Sequence, residues 1–258
     1  TLCGITAAKM KSNAEKLIEI TKKFGEECSN KKARLIEENK NIEFAYNPLD
    51  YAWISHKTYL KEYSDLGASK IIMGMNPGHG MGNTGIPFGC PEKVKNYLKI
   101  RDLKINEPKK MHPKRLVIGL ECKKPEISGK RIWGLIEEMY GAPEKAFKNV
   151  FVLNHFPLWM FNSSGQNVTP DKLSISSSKF ILDECNKYLI NVAKILKIKR
   201  IICVGKYASR MAQKAVKNSG VENLTIDEIP HPSPANPLAN KEKGALWKKI
   251  ARDVIQDK

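Results

Sequence analysis

Two short segments combine backbone stiffness with hydrogen-bonding side chains: Gly74-Met75-Asn76-Pro77-Gly78 and His231-Pro232-Ser233-Pro234-Ala235-Asn236-Pro237. Each follows a strand-like run. The first run, Lys70-Ile71-Ile72-Met73, is apolar and β-branched, as a buried parallel strand is, and the Asn-Pro-Gly sequence turns the chain at its carboxyl end. Open α/β sheets bind ligands at that edge. The second run, Leu224 to Ile229, leads into closely spaced prolines that restrict the backbone around His231 before anything binds. An imidazole held this way suits catalysis, since it can give or take a proton or hydrogen bond near neutral pH. The two segments therefore read as the two walls of one active site.

Positioning such walls requires a sheet. Further buried-strand candidates are Val150-Phe151-Val152-Leu153 and Arg200-Ile201-Ile202-Cys203-Val204. Helical periodicity fills the intervals: Ile181, Cys185, Tyr188, Leu189, Val192, Ile195 and Leu196 predict a helix from about Ser178 to Leu196, and Trp247, Ile250, Ala251, Val254 and Ile255 predict a last one. Strands alternating with helices imply an α/β protein whose central parallel sheet is covered on both faces. At the N-terminus, Ser12 and Glu15 form a capping-box pattern that opens a helix from about Asn13 to Phe24, with Gly25 as its expected end. The mixed charges from Lys31 to Lys40 read as a solvated helix face. We expect one domain over residues 1–258, with residues 1–45 as an N-terminal helical extension packed on it.

Composition narrows the partners. The 258 residues carry 44 Lys and Arg against 27 Asp and Glu, a formal net charge of +17, which suits a polyanion such as nucleic acid. The cysteines Cys3, Cys28, Cys90, Cys122, Cys185 and Cys203 are scattered without C-x-x-C spacing, so reduced thiols are expected and neither a zinc site nor a disulfide framework is indicated. No stretch has the roughly 20 apolar residues of a membrane span, and the N-terminus lacks the apolar core of a secretory signal. The expected location is nuclear in a eukaryote and otherwise cytoplasmic, not secreted. The Gly-rich turn at Gly74 to Gly82 contains a G-x-G after a strand, but Pro77 and the expected absence of an immediate helix separate it from a dinucleotide phosphate loop. No P-loop lysine, H-E-x-x-H or Ser nucleophile elbow is present.

At these residues the chain resembles a known family. Gly74 to Gly89 and His231 to Lys241 resemble the two signature motifs of the single-strand-selective monofunctional uracil-DNA glycosylases, within the uracil-DNA glycosylase superfamily. Asn47 to Trp53, His112 to Ser128-Gly129, and Asn154 through Pro157-Leu158 to Pro170 are similar to that family in the same order. The resemblance implies an α/β/α sandwich with a short four-stranded parallel sheet. It implies a hydrolytic enzyme that flips uracil or 5-hydroxymethyluracil out of DNA and leaves an abasic site in base excision repair, with no cofactor, no metal and no membrane partner, as a monomer. A catalytically weak DNA-damage-binding protein and a glycosylase shifted towards deaminated purines are the alternatives at this point.

The resemblance also assigns residues. Met75, Asn76, Gly78, Met81, Phe88, Asn154 and His231 would build the base pocket. Phe88 would stack on the everted pyrimidine without reading its identity. Asn154 offers a donor and an acceptor that match O4 and N3–H of uracil, whereas cytosine presents the opposite pattern. His231 would stabilise the negative charge that gathers on O2 of the departing base. Asn76 would orient the attacking water without serving as a strong base, which implies a dissociative mechanism. Ser164, Gly165, Gln166, Asn167, Thr169 and Lys172 would contact DNA, and Ser233, Pro234, Ala235, Asn236, Pro237 and Lys241 would fill the gap left by the flipped nucleotide. Ala235 stands where the family usually has Arg, so a stronger bias towards single-stranded substrate than the relatives show is expected, with both single- and double-stranded DNA as substrates. The turn at His79 is one residue shorter than the family's.

Overall fold

The computed structural model describes residues 10–101 and 103–256. Four parallel strands form its centre: β2 (Lys70–Gly74), β3 (Val150–Asn154), β6 (Arg200–Val204) and β7 (Thr225–Ile229), in the order β3-β2-β6-β7. Their Ile, Val, Leu and Met side chains are almost fully buried on both faces in β2, β3 and β6, which is why these segments read as unbroken apolar runs. Helices surround the sheet in an α/β/α arrangement, as the sequence predicts. Register matters most at the carboxyl ends: Gly74 lies opposite Asn154, so two of the segments expected at the site finish side by side.

A second sheet, which the sequence reading does not anticipate, has the antiparallel order β1-β4-β5 with β1 at Phe44–Tyr46, β4 at Trp159–Phe161 and β5 at Asn167–Val168. Its strands hold three, three and two residues, too short to show an alternating pattern. Pairing of Phe161 with Asn167 turns the chain after β3 back towards the strand ends.

The capping box at the N-terminus is present: Ser12 Oγ accepts from Glu15 N, and Glu15 Oε2 accepts from Ser12 N. The expected end at Gly25 is not, because one helix runs from Asn13 to Glu38 and includes the charged segment. Gly25 is a contact glycine inside it. A Cβ there would stand 3.0 Å from Leu49 Cβ, and its carbonyl accepts from Asn47 Nδ2 at 2.8 Å. The cost of a mid-helix glycine, about 1 kcal/mol, is offset by burial of Cys28 and Leu35 beyond it and by the i,i+4 pairs Lys31–Glu27 and Arg34–Glu38. The five described cysteines are free thiols; Cys3 lies outside the described residues. Among the described residues no helix is long and apolar enough to cross a membrane.

Two buried histidines should make the fold sensitive to acid. His56 Nδ1 donates to Gly85 O, and His155 Nε2 donates to Asn186 Oδ1 while its Nδ1 accepts from the Tyr207 hydroxyl. Burial lowers both pKa values from 6.5 to about 4. A depressed folded-state pKa contributes stability that is complete above 6.5 and drains as pH falls towards 4. Unfolding free energy from urea titrations should therefore drop between about pH 7 and about pH 5 by roughly 2 kcal/mol for each ring. An unchanged midpoint over that interval would show that these rings do not govern acid stability.

Candidate active site

A cavity of about 490 Å³ opens at the carboxyl ends of the parallel strands, within the range of small-molecule sites. All seven residues expected to form the pocket line it: Met75, Asn76, Gly78, Met81, Phe88, Asn154 and His231. They come from the turns after β2, β3 and β7, which is the convergence that the two stiff segments require.

The end of β2 is built for close approach. A Cβ on Gly74 would lie 2.3 Å from Asn154 Oδ1 and 2.6 Å from the Phe88 ring, so only glycine lets the amide and the aromatic face share this corner. Phe88 itself has a φ of 52°, a left-handed conformation that bulky residues rarely adopt and that persists only when the surroundings impose it. Gly129 supplies part of that imposition, because a Cβ there would stand 2.2 Å from the Phe88 carbonyl oxygen, which also accepts from Cys90 N. The ring is thereby held as a fixed platform in the cavity wall.

Asn154 is nearly unspent. Its Nδ2 donates only to the thioether of Met81, at 3.2 Å, and its Oδ1 is buried with no hydrogen-bond partner among the described residues. A buried amide oxygen without a donor is costly unless a ligand supplies one. Asn76 differs: its Nδ2 donates to Pro77 O at 3.1 Å and Leu158 O at 3.5 Å, which fixes the amide by its nitrogen and leaves the oxygen as the end that can accept.

His231 is clamped through its backbone and its ring. Nδ1 accepts from Ser233 N at 3.1 Å, so the neutral ring carries its proton on Nε2, the donor available to the cavity. Asn236 Nδ2 donates to His231 O, Trp247 Nε1 to Pro230 O and Arg131 Nη1 to Pro232 O, fixing the chain on both sides of the imidazole. Burial lowers the His231 pKa below 6.5, against an opposing pull from the Glu126 carboxylate. The neutral ring prevails near pH 7.

Glu126 is a site residue that the sequence reading misses. Its Oε2 accepts from Gly80 N at 3.1 Å, its Oε1 accepts from Gly129 N at 3.4 Å, and a Cβ on Gly78 would lie 3.4 Å from Oε2. His79 stands beside it, with Nε2 donating to Pro125 O and Nδ1 3.5 Å from Glu126 Oε2. The only sequence signal is an acidic residue just before an apolar helix, Ile127–Tyr140, which it caps. The same region corrects a second expectation: a helix does follow the Gly-rich turn at once, from His79 to Thr84. It lasts six residues and closes at left-handed Gly85, three residues before Phe88.

The expected DNA-contacting residues divide. Asn167, Thr169, Ser233 and Pro234 line the same cavity. Ser164, Gly165 and Gln166 form a local turn around Asn162, whose Oδ1 accepts from Ser164 N and Gln166 N, with Gly165 O accepting from Arg115 Nε. Lys172 lies 3.7 Å from the Asp171 carboxylate. Ala235 is exposed, with its N donating to Ser233 Oγ; Asn236 Oδ1 caps the short helix Pro237–Asn240, and Lys241 is exposed beyond it.

A short parallel sheet with a slot at its strand ends, walled by an aromatic ring, an amide and a rigid imidazole, defines an α/β protein with a cavity of small-molecule size at the sheet's carboxyl edge. Residues 60–255 match the Uracil DNA glycosylase superfamily, and the chain belongs to it. The chain is similar to the single-strand selective monofunctional uracil DNA glycosylase of Bos taurus, 34% identical over 231 residues that cover 87% of this chain and 83% of the relative. The protein of that name from Rattus norvegicus is 36% identical over 213 residues, 82% of this chain and 74% of the relative. A crystal structure of wild-type SMUG2 from Pedobacter heparinus shares the fold, with a TM-score of 0.56 at 18% identity over 95% of each chain.

Proposed function

We propose that this protein excises uracil from DNA by hydrolysing the N-glycosidic bond, leaving an abasic site for base excision repair. The observation that carries this reading is the buried Asn154 Oδ1 without a donor, beside an Nδ2 spent only on sulfur. An amide in that state accepts from an imide N–H and donates to the adjacent carbonyl, the pattern uracil presents at N3 and O4 and cytosine inverts. Everting the nucleotide costs a few kcal/mol, recovered in part by stacking on Phe88.

Bond cleavage moves electrons onto the base, and a neutral imidazole donating from Nε2 to O2 is stronger bound to that anion than to the ground-state carbonyl. Asn76 orients water through its amide oxygen. Lacking a strong base there, the reaction depends more on leaving-group stabilisation than on water activation. Among the described residues no lysine lines the cavity to attack the sugar, which suits a monofunctional enzyme. Gly78 leaves room beside C5, where Glu126 Oε2 can accept from a 5-hydroxymethyl group.

A labelled oligonucleotide containing one uracil tests the proposal, offered single-stranded and in duplex. Strand breaks should appear only after alkali, and faster on the single strand, because Ala235 gives the 233–237 segment little bulk with which to hold a duplex open. No breaks with either form would leave a binding protein as the reading; breaks without alkali would mean a lyase step; equal rates would remove Ala235 from strand selection.

A further inference from the structure

A second cavity, of about 580 Å³, lies between the helix Ile127–Tyr140 and the helix Ala245–Gln256. Its lining includes Lys130, Arg131, Lys243, Lys248, Lys249 and Arg252, with Glu138 as the opposing carboxylate. Glu138 is shared by Lys248 at 2.6 Å and Arg252 at 2.9 Å, and Lys130 pairs with Glu92 at 2.7 Å. Among the described residues Arg131 has only neutral acceptors, Pro232 O and Asn240 Oδ1, and no carboxylate pairs with it. Arg252 Nε is buried with no acceptor among the described residues. The groove thus holds a surplus of positive charge, and one of its arginines keeps a buried nitrogen without an acceptor among the described residues.

The groove adjoins the active site. Ile127 lines both cavities, and the ridge between them is the Pro232–Pro234 segment that Arg131 ties down. Beyond that ridge Glu242 and Lys243 take left-handed φ values of 51° and 54°, which bends the chain so that Gly244 faces the Arg131 guanidinium. A polyanion leaving the base pocket over this ridge would meet the groove next.

We propose that this groove binds the phosphodiester backbone of the strand that carries the target base, a few nucleotides from the flipped position. The occupant is single-stranded nucleic acid because only an extended polyanion both fits the charge surplus and continues from the first cavity. The inference rests on the reading of the chain as a DNA-acting glycosylase.

The test uses exposed residues that touch neither the base pocket nor the core: Lys243→Glu with Lys249→Glu, and the matching pair Lys243→Arg with Lys249→Arg. Fluorescence anisotropy reports binding of undamaged single strands of about twenty and about five nucleotides over a range of salt concentrations. For the long strand the Glu pair should weaken binding and lower the slope of log K against log salt by about 1.4, at roughly 0.7 for each lost phosphate contact. The Arg pair should restore both, and the long-to-short affinity ratio should fall only in the Glu pair. An unchanged slope, or equal losses for both lengths, overturns the proposal. Uracil release by the unaltered protein is scored separately: its absence defeats the glycosylase reading, while strand binding still decides whether the groove holds a backbone.

Discussion

Replacing His231 by Ala should lower kcat for uracil release by about 10²–10³-fold, the usual loss when one donor to a developing oxyanion is removed. The ring is held on a Pro-flanked backbone tied at Pro230, His231 and Pro232, and the Ser233 amide fixes Nε2 as its donor. Its contribution is therefore preorganised and larger in the transition state, so the loss falls on kcat more than on KM. The pH dependence has a definite sign. Burial holds the pKa below 6.5, so the neutral ring is present at pH 7 and above, and the rate is flat there as far as His231 governs it. Below the lowered pKa, Nδ1 gains a proton, loses the Ser233 N–H and the ring leaves its orientation. Single-turnover rates should then fall on the acid side, and that limb should vanish in His231→Ala. A variant that keeps the full rate, or keeps the acid limb, would take the imidazole out of the chemistry.

Much of this arrangement is legible in the residues themselves. Three of the four parallel strands, β2, β3 and β6, are legible because strands buried on both faces leave continuous runs such as Ile71-Ile72-Met73 and Val150-Phe151-Val152, whereas the partly exposed β7 is marked by the prolines that follow it. The stiffness around His231 is legible because proline fixes φ whatever its surroundings. What escapes is set by tertiary context. Gly25 looks like a helix end until Leu49 is found against it, and a glycine in sequence does not disclose whether it serves a turn or a contact. The β1-β4-β5 sheet escapes because strands of two or three residues carry no period. Glu126 escapes for a different reason. Its role depends on Gly78 and Gly80 lying beside it, and those residues are 46 or more positions away in the chain. The tautomer of His231 and the unpaired Oδ1 of Asn154 are likewise properties of geometry, visible only once hydrogen-bond partners can be assigned.

Asn154→Asp exposes the recognition step most directly, because it keeps size and removes the donor. In the site, Nδ2 is spent only on the Met81 thioether and Oδ1 has no partner among the described residues, so the proposed reading has the amide give Nδ2–H to O4 and accept N3–H at Oδ1. An ionised aspartate still accepts from N3–H of uracil but turns a second oxygen towards O4, replacing one hydrogen bond by lone-pair repulsion in a water-poor slot. Together these cost about 3–4 kcal/mol, so kcat/KM for uracil should fall by roughly 10²–10³-fold. A protonated carboxyl can carry its proton on either oxygen, so besides N3–H and O4 of uracil it can pair with cytosine, donating from its hydroxyl to N3 and accepting at its carbonyl from the N4 amino group. Cytosine release, if the variant gains it, must therefore grow as pH falls, over the same interval in which the acid limb of His231 acts against it. The double measurement separates the two effects: the cytosine-to-uracil ratio cancels the His231 contribution and reports the base preference of the carboxyl by itself. Thermal unfolding compared at a single pH checks that the end of β3, where Asn154 faces Gly74, remains in register. Undiminished uracil excision by a folded Asn154→Asp protein would show that the amide does not read the base, and the unpaired oxygen would then need another donor.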